Sequence, residues 1–256
     1  IHAETISANK SNINAVGTGI SCGVDSLHTI ANYTNSKYKN HNITHLVLNN
    51  VGSHGSPSTE RELYIGRCNI AKKFTDEYDF ELVIVNSNIQ QIITQNHYKS
   101  HTYVNVFTIL CLQKLFSTYF YASAGYNYHE FTLCDTLDSG SYELILLPYL
   151  STRNLRFYSG GEGVTRLEKI STLIKYQPSF KYLNVCFFKT DNCNLCEKCI
   201  RTLLELDALN SLEKYSLVFN IEYYYKNIDF YLTHLQYYVY KKSKTFIPNV
   251  SGKRRL

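Results

Sequence analysis

Two groups of residues in this chain could do chemistry. The first is Cys186, Cys193, Cys196 and Cys199, with six, two and two residues between successive cysteines. Four thiolates close a tetrahedral metal site and leave no open position for water, so such a site is structural. Its metal stabilises whatever folds around it. Zinc is the expected ion, and an iron–sulfur cluster is the rival, since cysteines hold one equally well. The second group is Gly17-Thr18-Gly19-Ile20-Ser21-Cys22-Gly23-Val24-Asp25-Ser26. A dinucleotide fingerprint would need Gly where Cys22 stands, and a Walker A loop would need Gly-Lys-Ser/Thr, so both are excluded. What remains is a polar turn leading from an apolar run into a helical pattern. Backbone N–H groups at a helix N-terminus attract phosphate. Gly23 allows close approach, Ser21 and Ser26 add hydroxyls, and Asp25 can cap the helix or reach a magnesium ion held by phosphates. Gly19, Ser21, Cys22, Gly23, Val24, Asp25 and Ser26 are therefore the expected phosphate-binding residues.

Positioning these groups requires an alternating α/β chain. Apolar runs predict strands at Ala15 to Ile20, Thr44 to Asn49, Glu81 to Val85, Tyr119 to Ala124 and Leu144 to Leu147, the last stopped by Pro148. Helical spacing predicts helices from Asp25 to Tyr33, Glu60 to Phe74, Val104 to Phe116, Thr165 to Lys175 and Lys198 to Leu209. In the second of these, Leu63, Arg67, Ile70, Ala71 and Phe74 recur on one face. The alternation implies a mostly parallel, doubly wound sheet with helices on both faces. Ligands of such sheets bind beyond the carboxyl ends of the strands. The expected organisation is an ATP-binding α/β domain over 1–180 and a zinc knuckle with a helical tail over 181–256. A start at Ile1 suggests a piece of a longer chain. Ser159-Gly160-Gly161 also spells a loop opening, but no strand is predicted before it and no Asp-Ser follows, so it reads as a flexible loop.

Composition excludes several classes. With 14% aromatic and 18% charged residues the chain is neither disordered nor a coiled coil. No apolar run reaches the roughly 18 residues of a membrane span, and a cytoplasmic location without membrane contact is expected. The net charge of +5 permits an anionic partner. The tail from Tyr223 to Tyr240, followed by basic residues, admits a nucleic-acid reading because aromatics stack on bases. The favoured reading is an amphipathic helix covering a sheet edge. Cys22, Cys68, Cys111 and Cys134, scattered outside the cluster, read as small buried hydrophobes.

The segment Ser21-Cys22-Gly23-Val24-Asp25-Ser26 resembles the Ser-Gly-Gly-x-Asp-Ser pyrophosphate loop of the N-type ATP pyrophosphatases, the adenine nucleotide alpha-hydrolase superfamily. Five of six positions match. The departure is Cys22, whose Cβ would be strained at positive φ. The loop followed by Cys186 and then Cys193, Cys196, Cys199 and Arg201 is similar to the 7-cyano-7-deazaguanine synthase (QueC) family. The likeness covers most of residues 13 to 210, including Pro148 and the helix carrying Arg166 and Lys169.

That resemblance implies a PP-loop fold of the HUP type, with ATP, Mg²⁺ and Zn²⁺ as its cofactors. It implies a ligase that adenylates a carboxylate, releases pyrophosphate and lets ammonia attack the acyl-adenylate. The synthase itself repeats the activation on the amide. On this basis the β- and γ-phosphates lie in the loop and the adenine near Asn49 and Asn50. Asp25 serves magnesium, Arg166 and Lys169 neutralise polyphosphate or the substrate carboxylate, Arg201 is a weaker candidate for that role, and His54 acts as acid or base or holds substrate. Departures point to a changed acceptor: Asn49-Asn50-Val51-Gly52-Ser53-His54 stands where the family has Phe-Asp-Tyr-Gly-Gln-Arg. Only Gly125-Tyr126 survives of its Gly-Tyr-Pro-Asp-Cys-Arg segment, and Asn184-Val185 replaces a Trp. The acceptor is thus a carboxylate or amide outside the family's own pocket. The alternatives are a tRNA-modifying enzyme of the thiolation or lysidine type, or a non-catalytic nucleotide sensor with a protein partner encoded nearby in a defence or polysaccharide gene cluster.

Overall fold

Five short strands assemble into one wholly parallel sheet in the order β3-β2-β1-β4-β5, with β1, β2 and β4 mostly buried and the edge strands β3 and β5 partly exposed. They are β1 (Ala15–Gly19), β2 (His45–Asn50), β3 (Glu81–Asn86), β4 (Phe116–Tyr121) and β5 (Arg156–Ser159). The structure is a computed structural model and describes residues 12–34, 41–52, 60–123, 138–161 and 163–234. Helices α1 (Val24–Tyr33), α2 (Glu60–Tyr78), α3 (Ile89–Ile92), α4 (His97–Cys111), α5 (Glu143–Leu150), α6 (Arg166–Leu173), α7 (Pro178–Tyr182), α8 (Glu197–Ala208) and α9 (Ile221–Lys226) connect and follow the strands. Alternate strand residues point to opposite faces, and here both faces are covered. Val16, Leu46, Leu48 and Phe120 pack with α1, α2, α6 and α8 on one side. Ala15, Val47, Tyr119 and Phe157 pack with α4 and α5 on the other. The expected doubly wound α/β architecture is the one observed.

Residues 181–234 share the first of these two cores. Leu203, Leu206, Tyr215, Tyr224 and Tyr231 belong to the same buried cluster as Val16 and Leu27. Among the described residues, no helix is long and apolar enough to cross a membrane.

Several local expectations are corrected. Leu144 to Leu147 is helical, inside α5, with Pro148 in the helix. A short, wholly apolar run has no period that separates a buried strand from a buried helix. The fifth strand is instead Arg156–Ser159, whose exposed and buried residues alternate over only four positions. It leads directly into Ser159-Gly160-Gly161, all three buried, so this segment is not a loose loop. Phe116 opens β4, and helix α4 ends before it at Cys111 after starting from an Asn96 cap whose side chain accepts from Tyr98 N. The described part of the tail, to residue 234, packs on the cysteine segment: the Tyr231 hydroxyl donates to Asn194 O at 2.8 Å, and its ring lies 4.7 Å from that of Tyr224, while Tyr237 to Tyr240 and the basic residues after them lie outside the described residues. Of the scattered cysteines, Cys22 is buried, Cys68 half-buried and Cys111 exposed, because Cys111 falls at the outward end of α4. Cys134 lies outside the described residues.

One buried group makes stability depend on pH. His28 on α1 is 3% exposed, and burial, helped by Lys169, lowers its pKa from 6.5 to about 4. The unfolded chain therefore takes up a proton near pH 6.5 that the folded chain resists until about pH 4. The stability that neutral His28 contributes is present above pH 6.5 and is lost as pH falls from there towards 4. Urea unfolding at pH 7 and pH 5 is expected to show wild type losing on the order of 2 kcal/mol more than His28→Gln between those values.

Candidate functional site

The turn after β1 sits between β2 and β4, the strands on either side of β1. Ligands of open α/β sheets bind at such a reversal of strand order. Ile20 N still bonds Val47 O at 2.9 Å, and then the chain leaves the sheet. Cys22 takes φ 55°, the left-handed region, which costs a residue with a Cβ on the order of 1 kcal/mol. Two features offset that cost: its side chain is buried in the core, 2% exposed, and its carbonyl accepts Asn184 N at 2.8 Å. Burial raises the Cys22 thiol to about 12, so it stays neutral and is not a nucleophile. Gly23 is the N-cap of α1, and no side chain caps that end. The two serines hold the turn closed: Ser21 Oγ accepts from Gly23 N at 3.3 Å and lies 3.2 Å from Ser26 Oγ, which donates to Gly23 O. The first-turn amides of α1 thus face the cleft without a side-chain competitor, the arrangement that binds anions.

Beneath the loop lies Lys169 of α6, 1% exposed. Its Nζ donates to Asp25 Oδ1 at 2.8 Å and to Ser123 O at 2.9 Å. Ser123 Oγ in turn donates to Glu143 Oε1. Glu143 is wholly buried, and burial pushes its carboxyl up to about 7 despite the Ser123 hydrogen bond and the nearby Lys169 charge. Lys169 therefore does not lie on a solvated face of α6. A capping box of Thr165 and Glu168 starts the helix and turns Lys169 inward.

Gly160 and Gly161 make the room. A Cβ at Gly161 would lie 2.8 Å from Lys169 Nζ, and one at Gly160 would lie 2.5 Å from Thr29 Oγ1. Thr29 is itself tied to Asp25 O at 2.9 Å. Gly160→Ala is expected to cost about 1–3 kcal/mol by overpacking. Adding Thr29→Ala, which removes the two nearest atoms, is expected to restore part of the melting temperature.

The cleft in front of the loop has a volume of about 290 Å³ and is lined by Gly19, Ser21, Gly23, Val24, Asp25 and Ser26 together with Asn49, Arg67, Arg166 and Lys198. Arg166 Nε sits 3.1 Å from both carboxylate oxygens of Glu205 on α8, and Nη2 donates to Thr202. Burial lowers the pKa of both Arg166 and Arg67, and it lowers Lys198 to about 8. Asn49 Nδ2 donates to Asn105 Oδ1 inside the cleft, whereas Asn50 bonds Asn86 on β3 and is not part of the lining. Cys22 is not part of the lining, and its side chain belongs to the core. His54 lies outside the described residues.

Lys198, Arg67 and Glu143 were missed by sequence reasoning. Arg67 did leave a trace, since it is a charge on the apolar stripe of α2. Lys198 left none beyond standing between two cysteines.

The four sulfurs of Cys186, Cys193, Cys196 and Cys199 lie within 4.8 Å of one another. Four thiolates at about 2.3 Å from one ion would stand about 3.8 Å apart, so the site fits a tetrahedral ion such as zinc. The knuckle is built for it. Asn194 takes φ 62°, which Asn tolerates well, and Cys196 N donates to Cys193 Sγ at 3.3 Å. Burial opposes ionisation of Cys193, but the amides of Leu195 and Cys196 and the neighbouring thiols outweigh it and lower the thiol to about 7. A magnesium ion has less to hold it. Asp25 is the one carboxylate among the described lining residues, and one of its oxygens is on Lys169, so phosphate oxygens would supply most of the coordination.

The two groups of residues singled out in the sequence meet here. Asn184, Val185, Cys186, Phe187 and Lys198, all from the cysteine segment, line the cleft together with the loop. No family model, no curated protein and no solved structure matches the chain.

Proposed function

We propose that this protein is an ATP-dependent ligase of the 7-cyano-7-deazaguanine synthase kind, with an altered acceptor pocket. ATP binds across the strand ends with its β- and γ-phosphates on the loop Ser21 to Ser26. A carboxylate or amide oxygen of the acceptor attacks the α-phosphorus, the bond to the bridging oxygen breaks, and pyrophosphate leaves. With a carboxylate, ammonia then attacks the activated carbon and AMP departs to leave the amide; with an amide, loss of AMP and a proton leaves the nitrile and no ammonia is used. Such a reaction needs orientation and charge neutralisation more than covalent help from the protein. The observation that carries the reading is the Asp25–Lys169 pair directly under an uncapped helix N-terminus at the reversal of strand order. It puts a fixed cation and a metal-reaching carboxylate where a polyphosphate would lie. Zinc, when bound to the four cysteines, supplies structural stability and no chemistry.

The test is to incubate the purified protein with ATP, magnesium, ammonium and a panel of small carboxylates and amides. The expected products are AMP and pyrophosphate in equal amounts, abolished by Asp25→Ala. Release of orthophosphate alone, or full turnover by Asp25→Ala, would refute the reading.

A further inference from the structure

Arg67, Arg166 and Lys198 line the cleft against one carboxylate among its described residues, and Arg67 and Lys198 stand beside the cysteine segment. Asp25 is the one acidic side chain among the described lining residues, and Lys169 already engages it. Arg166 is answered by Glu205. Lys198 is not answered in this way: its ammonium lies 3.7 Å from the centre of the Phe187 ring, and no acceptor among the described residues hydrogen-bonds it. Arg67 stands nearby, reaching across from α2 to donate to Cys186 O at 3.3 Å. Cations gathered in a partly desolvated cleft repel one another, and an incoming anion relieves that repulsion.

We propose that Lys198 and Arg67, flanked by the half-exposed face of Phe187, form a subsite for a non-reacting oxyanion of the acceptor: a phosphate or a second carboxylate. The proposal rests on the ATP-ligase reading. A reacting carboxylate loses its charge when it joins the α-phosphate, so cations that hold the acceptor through both half-reactions must hold another anion. Counter-charge for the thiolates is the rival role. Arg67 is placed for it through Cys186. Lys198 instead lies over the Phe187 ring in the lining of the cleft.

The experiment uses the zinc-loaded protein saturated with a non-hydrolysable ATP analogue and magnesium, titrated calorimetrically with inorganic phosphate and, separately, with succinate. Wild type is expected to bind one of the two in a 1:1 ratio, and the better of them identifies the anion. Lys198→Gln and Arg67→Gln are each expected to weaken that binding at least tenfold, while the affinity for the ATP analogue changes less than twofold. The ligand-field spectrum of the cobalt-substituted Lys198→Gln protein is expected to match wild type. Binding of neither anion by wild type overturns the proposal. So does a loss of analogue affinity in Lys198→Gln as large as the loss of anion affinity, and a shifted cobalt spectrum would assign the cation to the thiolates. If the analogue itself does not bind, the ATP reading fails, and the same comparison of wild type with Lys198→Gln still decides the subsite.

Discussion

Cys199→Ser is expected to abolish stoichiometric zinc and to lower stability by at least about 4 kcal/mol, a drop in melting temperature on the order of 10 °C for a domain of this size. The reason is position. Cys199 is fully buried at the start of α8 and belongs to the main core, so a metal bound by the four sulfurs would hold the same helix as the core. The knuckle also anchors what is packed on it: the Asn194 side chain donates from Nδ2 to Asn220 O and accepts from Asn220 N at Oδ1, and the Tyr231 hydroxyl donates to Asn194 O. The binding free energy of a structural metal is folding free energy. Isolated zinc fingers lose all structure without it, whereas here the sheet has a second core of its own and should survive. Calorimetry and metal analysis of the purified variant check this. A wild-type melting temperature would show that the sulfurs carry no structural ion, and a brown protein with bound iron would show that the ion is the wrong one.

Lys169→Met is expected to weaken binding of an ATP analogue by about 100-fold, close to 3 kcal/mol, and to destabilise the apoprotein by about 2–3 kcal/mol. Breaking a buried pair usually costs about 3–5 kcal/mol. The lower figure applies here because Asp25 is 28% exposed and can turn to water. The loss of affinity is larger than one removed cation would produce, since Asp25 is left uncompensated beside the phosphates. Ser123 O also loses its donor, and with it the link to Glu143. The double variant Asp25→Asn with Lys169→Met is expected to regain part of the stability and none of the turnover, which a double-mutant cycle would read as coupling between the two. A loss in the double variant equal to the sum of the two single-variant losses would mean that the pair is not coupled. Unchanged analogue affinity in Lys169→Met would place the phosphates elsewhere.

What was legible in the sequence followed from local pattern. The strand, polar turn and helix from Ala15 to Tyr33 could be read because apolar residues switch there from a continuous run to helical spacing within twenty residues. The four cysteines could be read because metal ligands close in sequence are close in space. Legibility failed where the signal was short or long-range. Four residues of β5 are too few to show a period, and the apolar run in α5 has none to show. Arg67, Lys198 and Glu143 come to the site from α2, α8 and α5, separated from the loop by many residues. Even Lys169, singled out through a resemblance, could not be told from a solvated residue until the sheet placed α6 against α1.

The sequence by itself therefore determined the fold class, the loop that can take an anion and the ligands that can take a metal, because each is written in spacing along the chain. Only the tertiary structure decided that these two groups form one cleft, with Asn184 N bonded to Cys22 O and the cysteine segment forming one wall. It also decided the charge of that cleft. Whether a lysine faces water or lies buried against a carboxylate depends on what packs over it, and the hydrogen-bond partners of the Lys169 ammonium, Asp25 and Ser123, stand more than forty positions away.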